Sequence, residues 1–364
     1  MKRKMKVAII CGGKSVEHEI SLQSAKNVIE AMDKDRYEIL LIGLDREGRW
    51  HLKDVAEFEK EMKSAPLPYL SPGGDEVVFI PAGEGRLLNI TTGELLQPVD
   101  VVFPILHGPF GEDGTIQGLL KIAEVPFVGA GVLSSALVMD KEVSKRLLKE
   151  TGIPTSRFLS FTTEEKGNIK FSTVVDHLGL PLFVKPANLG SSVGMSKVKK
   201  EEDFAPALEK AFRYDNKILI EEYIEGREIE CAVLGNEQPR ASCPGEVIPR
   251  HEFYSYEAKY VDPQGAILEI PASLPQDTVE KIQYLAIQAF RTLYCEGMAR
   301  VDFFLRGEEI LINELNTIPG FTSISMYPKL WEASGLPYPQ LIDELIQLSL
   351  ARREKEKKLQ TFIN

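Results

Sequence analysis

Two neighbouring runs, Met298-Ala-Arg-Val-Asp-Phe-Phe-Leu305 and Ile310-Leu-Ile-Asn-Glu-Leu-Asn316, alternate apolar and polar residues and are joined by Arg306-Gly307-Glu308-Glu309. Period-two alternation across a short glycine link predicts a β-hairpin. Successive side chains point to opposite faces of a strand, so Arg300 and Asp302 share one face, and Glu314 and Asn316 share one face of the partner. In a register that sets Asp302 near Glu314, three oxygen ligands converge beside an arginine. Oxygen ligands without His or Cys suit a hard cation that also holds phosphates, which points to Mg²⁺ and to an enzyme that handles ATP. The alternative is a hairpin whose polar face is simply solvated.

A second candidate is the loop Lys185-Pro-Ala-Asn-Leu-Gly-Ser-Ser-Val-Gly194. Its small residues let backbone amides approach an anion, Ser191 and Ser192 add hydroxyl donors, and Lys185 supplies charge at a strand end. Taken alone, such a stretch is equally a flexible turn. Other signatures fail: Gly13-Lys14-Ser15 has the look of a P-loop end, but Ala8 stands where the first glycine of that motif belongs. No G-x-G-x-x-G follows the first apolar run, and the five His residues show no zinc spacing.

Around these candidates the chain must build two or three domains, since 364 residues exceed one small core. Apolar content of 43% and charged content of 27% are those of an ordinary globular protein. A net charge of -11 argues against a nucleic-acid or anionic-membrane partner, both of which demand a cationic footprint, yet leaves room for ATP held by a few local Lys and Arg. Cys11, Cys231, Cys243 and Cys295 lie far apart and read as free thiols in a reducing cytosol, with one disulfide as the alternative. The basic start precedes an apolar run, Val7 to Cys11, too short for a signal-peptide core, and no stretch approaches a membrane span, so a cytoplasmic location is expected.

Val7 to Cys11 reads as a buried strand, Gly12 to Ser15 as a tight loop, and 21–32 as a helix with Leu22, Ala25, Val28, Ile29 and Met32 on one face. A strand over 37–44 completes a β-α-β start. Residues 45–97 are mixed and rich in Pro and Gly, an elaboration of the first domain. A strand over 101–106 runs into His107-Gly-Pro-Phe-Gly-Glu-Asp-Gly114, the arrangement with which open parallel sheets build sites at their carboxyl ends. Then come a helix over 141–151, a strand over 182–185, the glycine-serine loop, a helix over 201–212 and a strand over 217–222. The hairpin and a helix over 338–352 follow, and the charge run 352–358 reads as a solvated tail.

The pattern R-x-D at Arg300 and Asp302, followed by N-E-x-N-T-x-P-G from Asn313 to Gly320, resembles the metal-binding hairpin of the ATP-grasp enzymes. Glu221-Glu-Tyr-Ile-Glu-Gly-Arg-Glu228 and the 185–194 loop resemble the other elements with which those proteins clamp a nucleotide. Gly12 to Ser21, His107 to Gly114, Phe253 to Tyr260 and Pro319 to Ser325 resemble the D-alanine–D-alanine ligases in particular, so the resemblance spans the chain except for 45–97. It implies α/β and α+β architecture in a three-domain ATP-grasp fold. An N-terminal open parallel α/β substrate domain (1–130) would precede a central α+β unit (131–222) and a C-terminal α+β unit (223–364) that carries the metal hairpin and a mobile lid.

The resemblance also implies roles. Lys141, in Met139-Asp-Lys141, and Lys185 would touch ATP phosphates, with Ser192 in the phosphate loop and Lys259 near the γ-phosphate. Glu221 would meet the adenine amino group, the backbone of Tyr223 and Ile224 would read the adenine edge, and Glu228 would hold the ribose hydroxyls. Asp302, Glu314 and Asn316 would hold two Mg²⁺ ions, with Mn²⁺ as substitute. Glu17 would bind the ammonium group of the first D-alanine; the alternative is a helix-start carboxylate favoured by the macrodipole. Arg300 would hold the first carboxylate and then the tetrahedral intermediate with the N–H of Gly320, or simply pair with Asp302. Ser325 and the backbone of Met326 would hold the second carboxylate. Tyr260 and Ser191 would bond with Glu17 to close the lid, although Tyr260 alone reads equally as core packing. His107 is a further substrate candidate or a structural histidine.

The implied activity is ATP-dependent joining of two D-alanines through a D-alanyl phosphate, for peptidoglycan precursors, by a homodimer paired through the first domain. Tyr260 favours an amine over D-lactate as second nucleophile. A ligase using D-serine, a nucleotide-binding regulator without catalysis and a structural interaction protein are the alternatives.

Overall fold

The structure is a computed structural model that describes residues 3–64, 70, 73–250 and 265–360. The expected lid residues Lys259 and Tyr260 lie outside the described residues.

The chain opens with β1 (Met5–Gly12), α1 (His18–Ala31) and β2 (Tyr37–Leu44). Residues 45–97 supply β3 (Trp50–Lys53), α2 (Val55–Ser64) and a small hairpin of β4 (Val77–Phe79) and β5 (Leu87–Asn89), before β6 (Val101–Ile105). The sheet order is β3-β2-β1-β6, with β1 parallel to both β2 and β6 and β3 antiparallel at the edge. Val7 to Cys11 are buried because helices and loops cover both faces of the central strand, as parallel sheets require. The carboxyl ends of β1 and β6 therefore deliver the loops holding Glu17 and His107 side by side.

Three helices follow: α3 (Thr115–Ile122), α4 (Val132–Met139) and α5 (Lys141–Glu150). The second sheet is built from β7 (Phe158–Thr162), β8 (Leu182–Pro186), β9 (Ser196–Val198) and β10 (Lys217–Glu222), antiparallel in the order β7-β10-β8-β9. Its helices, α6 (Phe171–Leu178) and α7 (Glu201–Phe212), bury Val174, Leu178, Phe204 and Leu208 against Val184, Ile218 and Ile220.

The third sheet contains β11 (Arg227–Gly235), β12 (Arg240–Ala241), β13 (Gly245–Pro249) and β14 (Ala266–Glu269). After α8 (Gln276–Thr292) it is completed by β15 (Gly297–Arg306) and β16 (Glu309–Asn316), in the order β14-β13-β11-β15-β16 with β12 beside β11. On one face α8 packs Ile282, Ala286 and Phe290 into a core with Ile229, Val301 and Phe303, which Val138, Leu148 and Ile153 also join. On the other, Ala232, Leu234 and Met298 share a core with the first sheet and with α9 (Met326–Ala333) and α10 (Tyr338–Glu356).

The expected hairpin forms around Gly307 at φ 61, a conformation that glycine adopts at no steric cost. Its register pairs Arg300 with Asn316 and Asp302 with Glu314, then shifts so that Phe303 pairs with Ile312. Asn313 is the extra residue of a β-bulge, which bends the strand and re-aims its side chains. Ile312 turns into the core under Phe303, while Glu314 lies opposite Asp302.

One expectation is corrected. Of the charged run 352–358, Glu354, Lys355, Lys357 and Lys358 are exposed as expected, but Arg352 is not: α10 continues to Glu356, and Arg352 follows Leu345 and Ser349 onto the buried face at helical spacing. Its guanidinium lies 4.4 Å from the centre of the Phe127 ring and donates to Phe127 O at 2.7 Å and Gly129 O at 2.6 Å. The four cysteines are free, and burial pushes the thiols of Cys11 and Cys231 up to about 12. Among the described residues no helix is long and apolar enough to cross a membrane.

Arg352→Met would leave two buried carbonyls without their charged donor, and a loss of about 3 kcal/mol is expected. Urea denaturation of both proteins measures it; an unchanged midpoint would assign Arg352 no part in joining α10 to the first sheet.

Candidate active site

A cleft of about 310 Å³ lies between the second sheet and the hairpin. It gathers Lys141, Lys185, Ser191, Ser192, Glu221, Tyr223, Ile224, Glu228 and Glu314, all named from sequence, together with Phe183, Met195, Phe304 and Asn313. The apolar members suit a flat base, and the cations at the other side suit phosphates. Lys197 stands 3.9 Å from the centre of the Tyr223 ring, a cation–π contact that the sequence did not signal.

The charges are paired across elements. Leu219 on β10 faces Lys185 on β8, so Glu221, two residues on, lies diagonally from Lys185 on the same face. Lys185 Nζ sits 2.6 Å from Glu221 Oε2, and Lys145 Nζ sits 3.1 Å from Glu221 Oε1. Burial opposes the charge on Glu221, but the two lysines outweigh it and hold the carboxyl below its ordinary range. Lys145 also donates to Ser156 Oγ at 2.9 Å. The only sequence signal for it is its place one helical turn after Lys141 on α5, a helix capped by Asp140 accepting from Val143 N at 3.1 Å. Lys141 itself reaches Leu189 O at 2.7 Å and Glu314 Oε2 at 3.5 Å.

In the glycine–serine loop after β8, Ser191 (φ 51) and Ser192 (φ 59) are consecutive left-handed residues. Such backbone costs roughly 1–3 kcal/mol per non-glycine residue, and it persists only where the surroundings hold it. One restraint is visible: Ser191 Oγ donates to the Glu17 carboxylate, joining the loop to the first sheet. A side chain at Gly190 would come within 3.2 Å of Glu17 Oε2, which is why the smallest residue precedes the serines.

On the hairpin, Arg300 donates from Nε to Asp302 Oδ1 and from Nη2 to Asp302 Oδ2, both at 2.7 Å, and lies 2.9 Å from Glu230 Oε2. Asn316 Nδ2 donates to Asp302 Oδ2 at 3.2 Å. Arg300 therefore does pair with Asp302, and that pairing is what sets its guanidinium beside the hairpin face that carries Asp302, Glu314 and Asn316. Glu230, on the neighbouring β11 directly opposite Asp302, was not anticipated.

The remaining residues form a suspended loop. His107 Nδ1 donates to Ile318 O at 3.0 Å, and its Nε2 accepts from Ser24 Oγ at 3.2 Å. Burial holds this imidazole below its ordinary pKa, so it is neutral with the proton on Nδ1. Ser24 Oγ also accepts from Phe321 N at 3.2 Å, and Glu112 accepts from Gly108 N at 2.7 Å and Ile318 N at 3.2 Å. The segment that contains Gly320 thus hangs from the first sheet by both of its ends. Ser325 precedes the first turn of α9, where Met326 begins, and its Oγ accepts from Thr322 N at 3.0 Å.

With this geometry in view, comparison with known proteins is decisive. The family model for the D-ala D-ala ligase N-terminus matches residues 6–130, and that for the D-ala D-ala ligase C-terminus matches residues 147–347. The chain belongs to the D-Ala-D-Ala ligase family. It is 53% identical to the D-alanine–D-alanine ligase of Shouchella clausii over 99% of this chain and 98% of that protein. It is 49% identical to D-alanine–D-alanine ligase A of Escherichia coli K12, over 98% and 99% respectively. The solved ligase from Coxiella burnetii superposes with a TM-score of 0.84 at 40% identity, covering 98% of this chain and 96% of that one. The VanG D-Ala:D-Ser ligase of Enterococcus faecalis gives 0.84 at 34% identity, covering 95% and 100%. A Bacillus anthracis D-alanine–D-alanine ligase complexed with ATP gives 0.72 at 28% identity, covering 97% and 99%. The expected ATP-grasp fold is borne out.

In this member of the D-Ala-D-Ala ligase family, Glu112 generates a test. Burial, reinforced by the charge of Glu17, pushes its carboxyl up from 4.5 to about 8. Between those values the folded protein keeps a proton that the unfolded chain releases, so Glu112 lowers stability progressively as pH rises through that window. Glu112→Gln is expected to flatten this decline when urea midpoints are compared from about pH 5 to pH 8. Equal slopes in both proteins would contradict a protonated Glu112.

Proposed function

We propose that this chain joins two D-alanine molecules at the expense of ATP, giving D-alanyl-D-alanine, ADP and phosphate for peptidoglycan precursors. Beside family membership, the observation that carries the reading is the Glu17–Ser191 bond, which ties an acid suited to an amino-acid ammonium group directly to the phosphate loop.

In this reading the base lies between Phe183, Met195 and Phe304, with Glu221 accepting from its amino group, the backbone of Tyr223 and Ile224 along its edge and Glu228 on the ribose. Lys141, Lys185 and the 186–194 loop hold the phosphates, joined by Lys259. Glu17 takes the ammonium group of the first D-alanine. Its carboxylate attacks the γ-phosphate, which converts a poor leaving group into phosphate. The amine of the second D-alanine, its carboxylate held by Ser325 and the N–H of Met326, then attacks the activated carbonyl. Arg300 and the Gly320 N–H stabilise the charge that develops on oxygen. Because phosphoryl transfer needs mainly positioning and electrostatics, residues that aim these groups matter as much as those that touch substrate. His107, with both ring nitrogens bonded within the protein, acts by holding the Gly320 segment.

Asp302, Glu314 and Asn316 form an all-oxygen set on one hairpin face, and Arg300 and Lys141 stand against its carboxylates as a cation would. The set fits Mg²⁺ or Mn²⁺, which when bound would neutralise phosphate charge. We further read 1–130, 131–222 and 223–364 as three domains of a cytoplasmic enzyme. Exposed Leu119 and Ile122 on α3 support a homodimer through the first. A second reading, D-serine as the second substrate, is favoured by the likeness to the D-Ala:D-Ser ligase.

Nucleoside diphosphate release with Mg-ATP and D-alanine, L-alanine, D-alanine plus D-serine, or D-alanine plus D-lactate, with products identified by mass, tests the activity. D-alanyl-D-alanine as the main product is expected; turnover confined to D-serine mixtures would select the second reading. Asp302→Ala and Glu314→Ala should each lower kcat at least about 100-fold with an unchanged circular-dichroism spectrum. Near-normal kcat in both would remove the metal assignment.

A further inference from the structure

We infer that Lys145 is a positioning residue for the nucleotide: it is the buried counter-charge of Glu221, held out of reach of the phosphates, and it thereby sets the preference of the cleft for a base carrying an amino group over one carrying a carbonyl at the same ring position. This deepens the reading of Glu221 as acceptor of the adenine amino group and rests on it.

The two lysines that bracket Glu221 are not equivalent. Lys185 lines the cleft at the root of the phosphate loop and also feels Glu314. Lys145 lies on α5 behind the cleft wall with 2% of its side chain exposed, and its ammonium group is fixed between Glu221 Oε1 at 3.1 Å and Ser156 Oγ at 2.9 Å. An incoming polyphosphate competes with Glu221 for Lys185, at 2.6 Å from Oε2, because the cation is within reach of the loop. It has no such access to Lys145.

A buried carboxylate stripped of its last cation takes up a proton. The protonation state decides recognition. An ionised carboxylate only accepts hydrogen bonds, so it takes the N–H of a 6-amino group and repels the lone pairs of a 6-oxo group; a protonated one donates to the oxo group equally well. Lys145 keeps Glu221 in the discriminating form at the moment Lys185 is drawn to phosphate. Burial holds the Lys145 ammonium below its ordinary pKa, and Glu221 is the first of the groups that oppose that fall and keep the charge in place. The pair therefore stands or falls together.

The test is steady-state turnover of the full-length enzyme on D-alanine with ATP and with GTP, for the unaltered chain, Lys145→Met, Lys145→Arg and Glu221→Gln. Lys145→Met is expected to raise KM for ATP and to lower the ATP-to-GTP ratio of kcat/KM, each by at least about tenfold, the size expected for losing a charge-assisted hydrogen bond. KM for D-alanine should stay unchanged, and Lys145→Arg should restore most of the ratio. If Lys145→Met does not fold, Lys145→Gln, which keeps a donor but no charge, should lower the ratio in the same way. A ratio altered by Glu221→Gln but untouched by the uncharged variants of Lys145 overturns the inference and makes Lys145 a structural residue. A ratio untouched by Glu221→Gln as well overturns the reading of Glu221 on which it rests.

Discussion

A carboxylate taken out of water must be given a cation or a set of hydrogen-bond donors, and the site meets that requirement at each of its acids. Glu221 has Lys145 and Lys185, Asp302 has Arg300, Glu314 has Lys141, and Glu17 has the Ser191 hydroxyl. Glu112 instead receives two backbone N–H groups and is pushed towards the neutral form. In several of these pairs the partners come from different sheets or helices. The charges that do the chemistry are thus also the fasteners that bring the three units together, and a misplaced unit would leave a buried charge exposed to the full cost of desolvation.

The same economy governs the Gly320 segment. Ile318 is bonded at its N–H by Glu112 and at its carbonyl by His107, and Phe321 is bonded at its N–H by Ser24 and at its carbonyl by Tyr338. Donors on a fixed frame need no reorganisation when charge develops on a substrate oxygen, which is the basis of electrostatic preorganisation. Here the frame belongs to the first sheet and to α10, not to the strand that leads into the segment.

The hairpin is legible in sequence because a period of two is a local signal, and even its bulge leaves a trace in the adjacent polar pair Asn313-Glu314, which breaks the alternation. The glycine–serine loop after β8, the parallel start and the β10 strand that carries Glu221 are legible for the same reason. Lys145, Glu230 and Ser24 are not singled out, since each acts on a residue distant in the chain and carries no spacing of its own; Glu112 stands inside a motif the sequence shows, but its bond to Ile318 N does not follow from that motif. Arg352 departs from the expectation for its run. A cluster of charged residues at a helix end reads as solvated until the packing of α10 on Phe127 and Gly129 is known. The described residues of 45–97 extend a sheet edge and supply no group to the cleft, in keeping with the absence of a motif there.

The partition of the apolar cores has a mechanical consequence. One core is continuous between the first sheet, the third sheet and the two final helices, whereas the sheet carrying Lys185 and Glu221 has a core built wholly from its own strands and helices. Separating the first two bodies would wet a large apolar area at about 25 cal/mol per Å². Swinging the second sheet away would break the polar fasteners named above and leave each clustered core intact. A turn of the second sheet as a rigid flap therefore costs less apolar burial than any separation of the other two bodies.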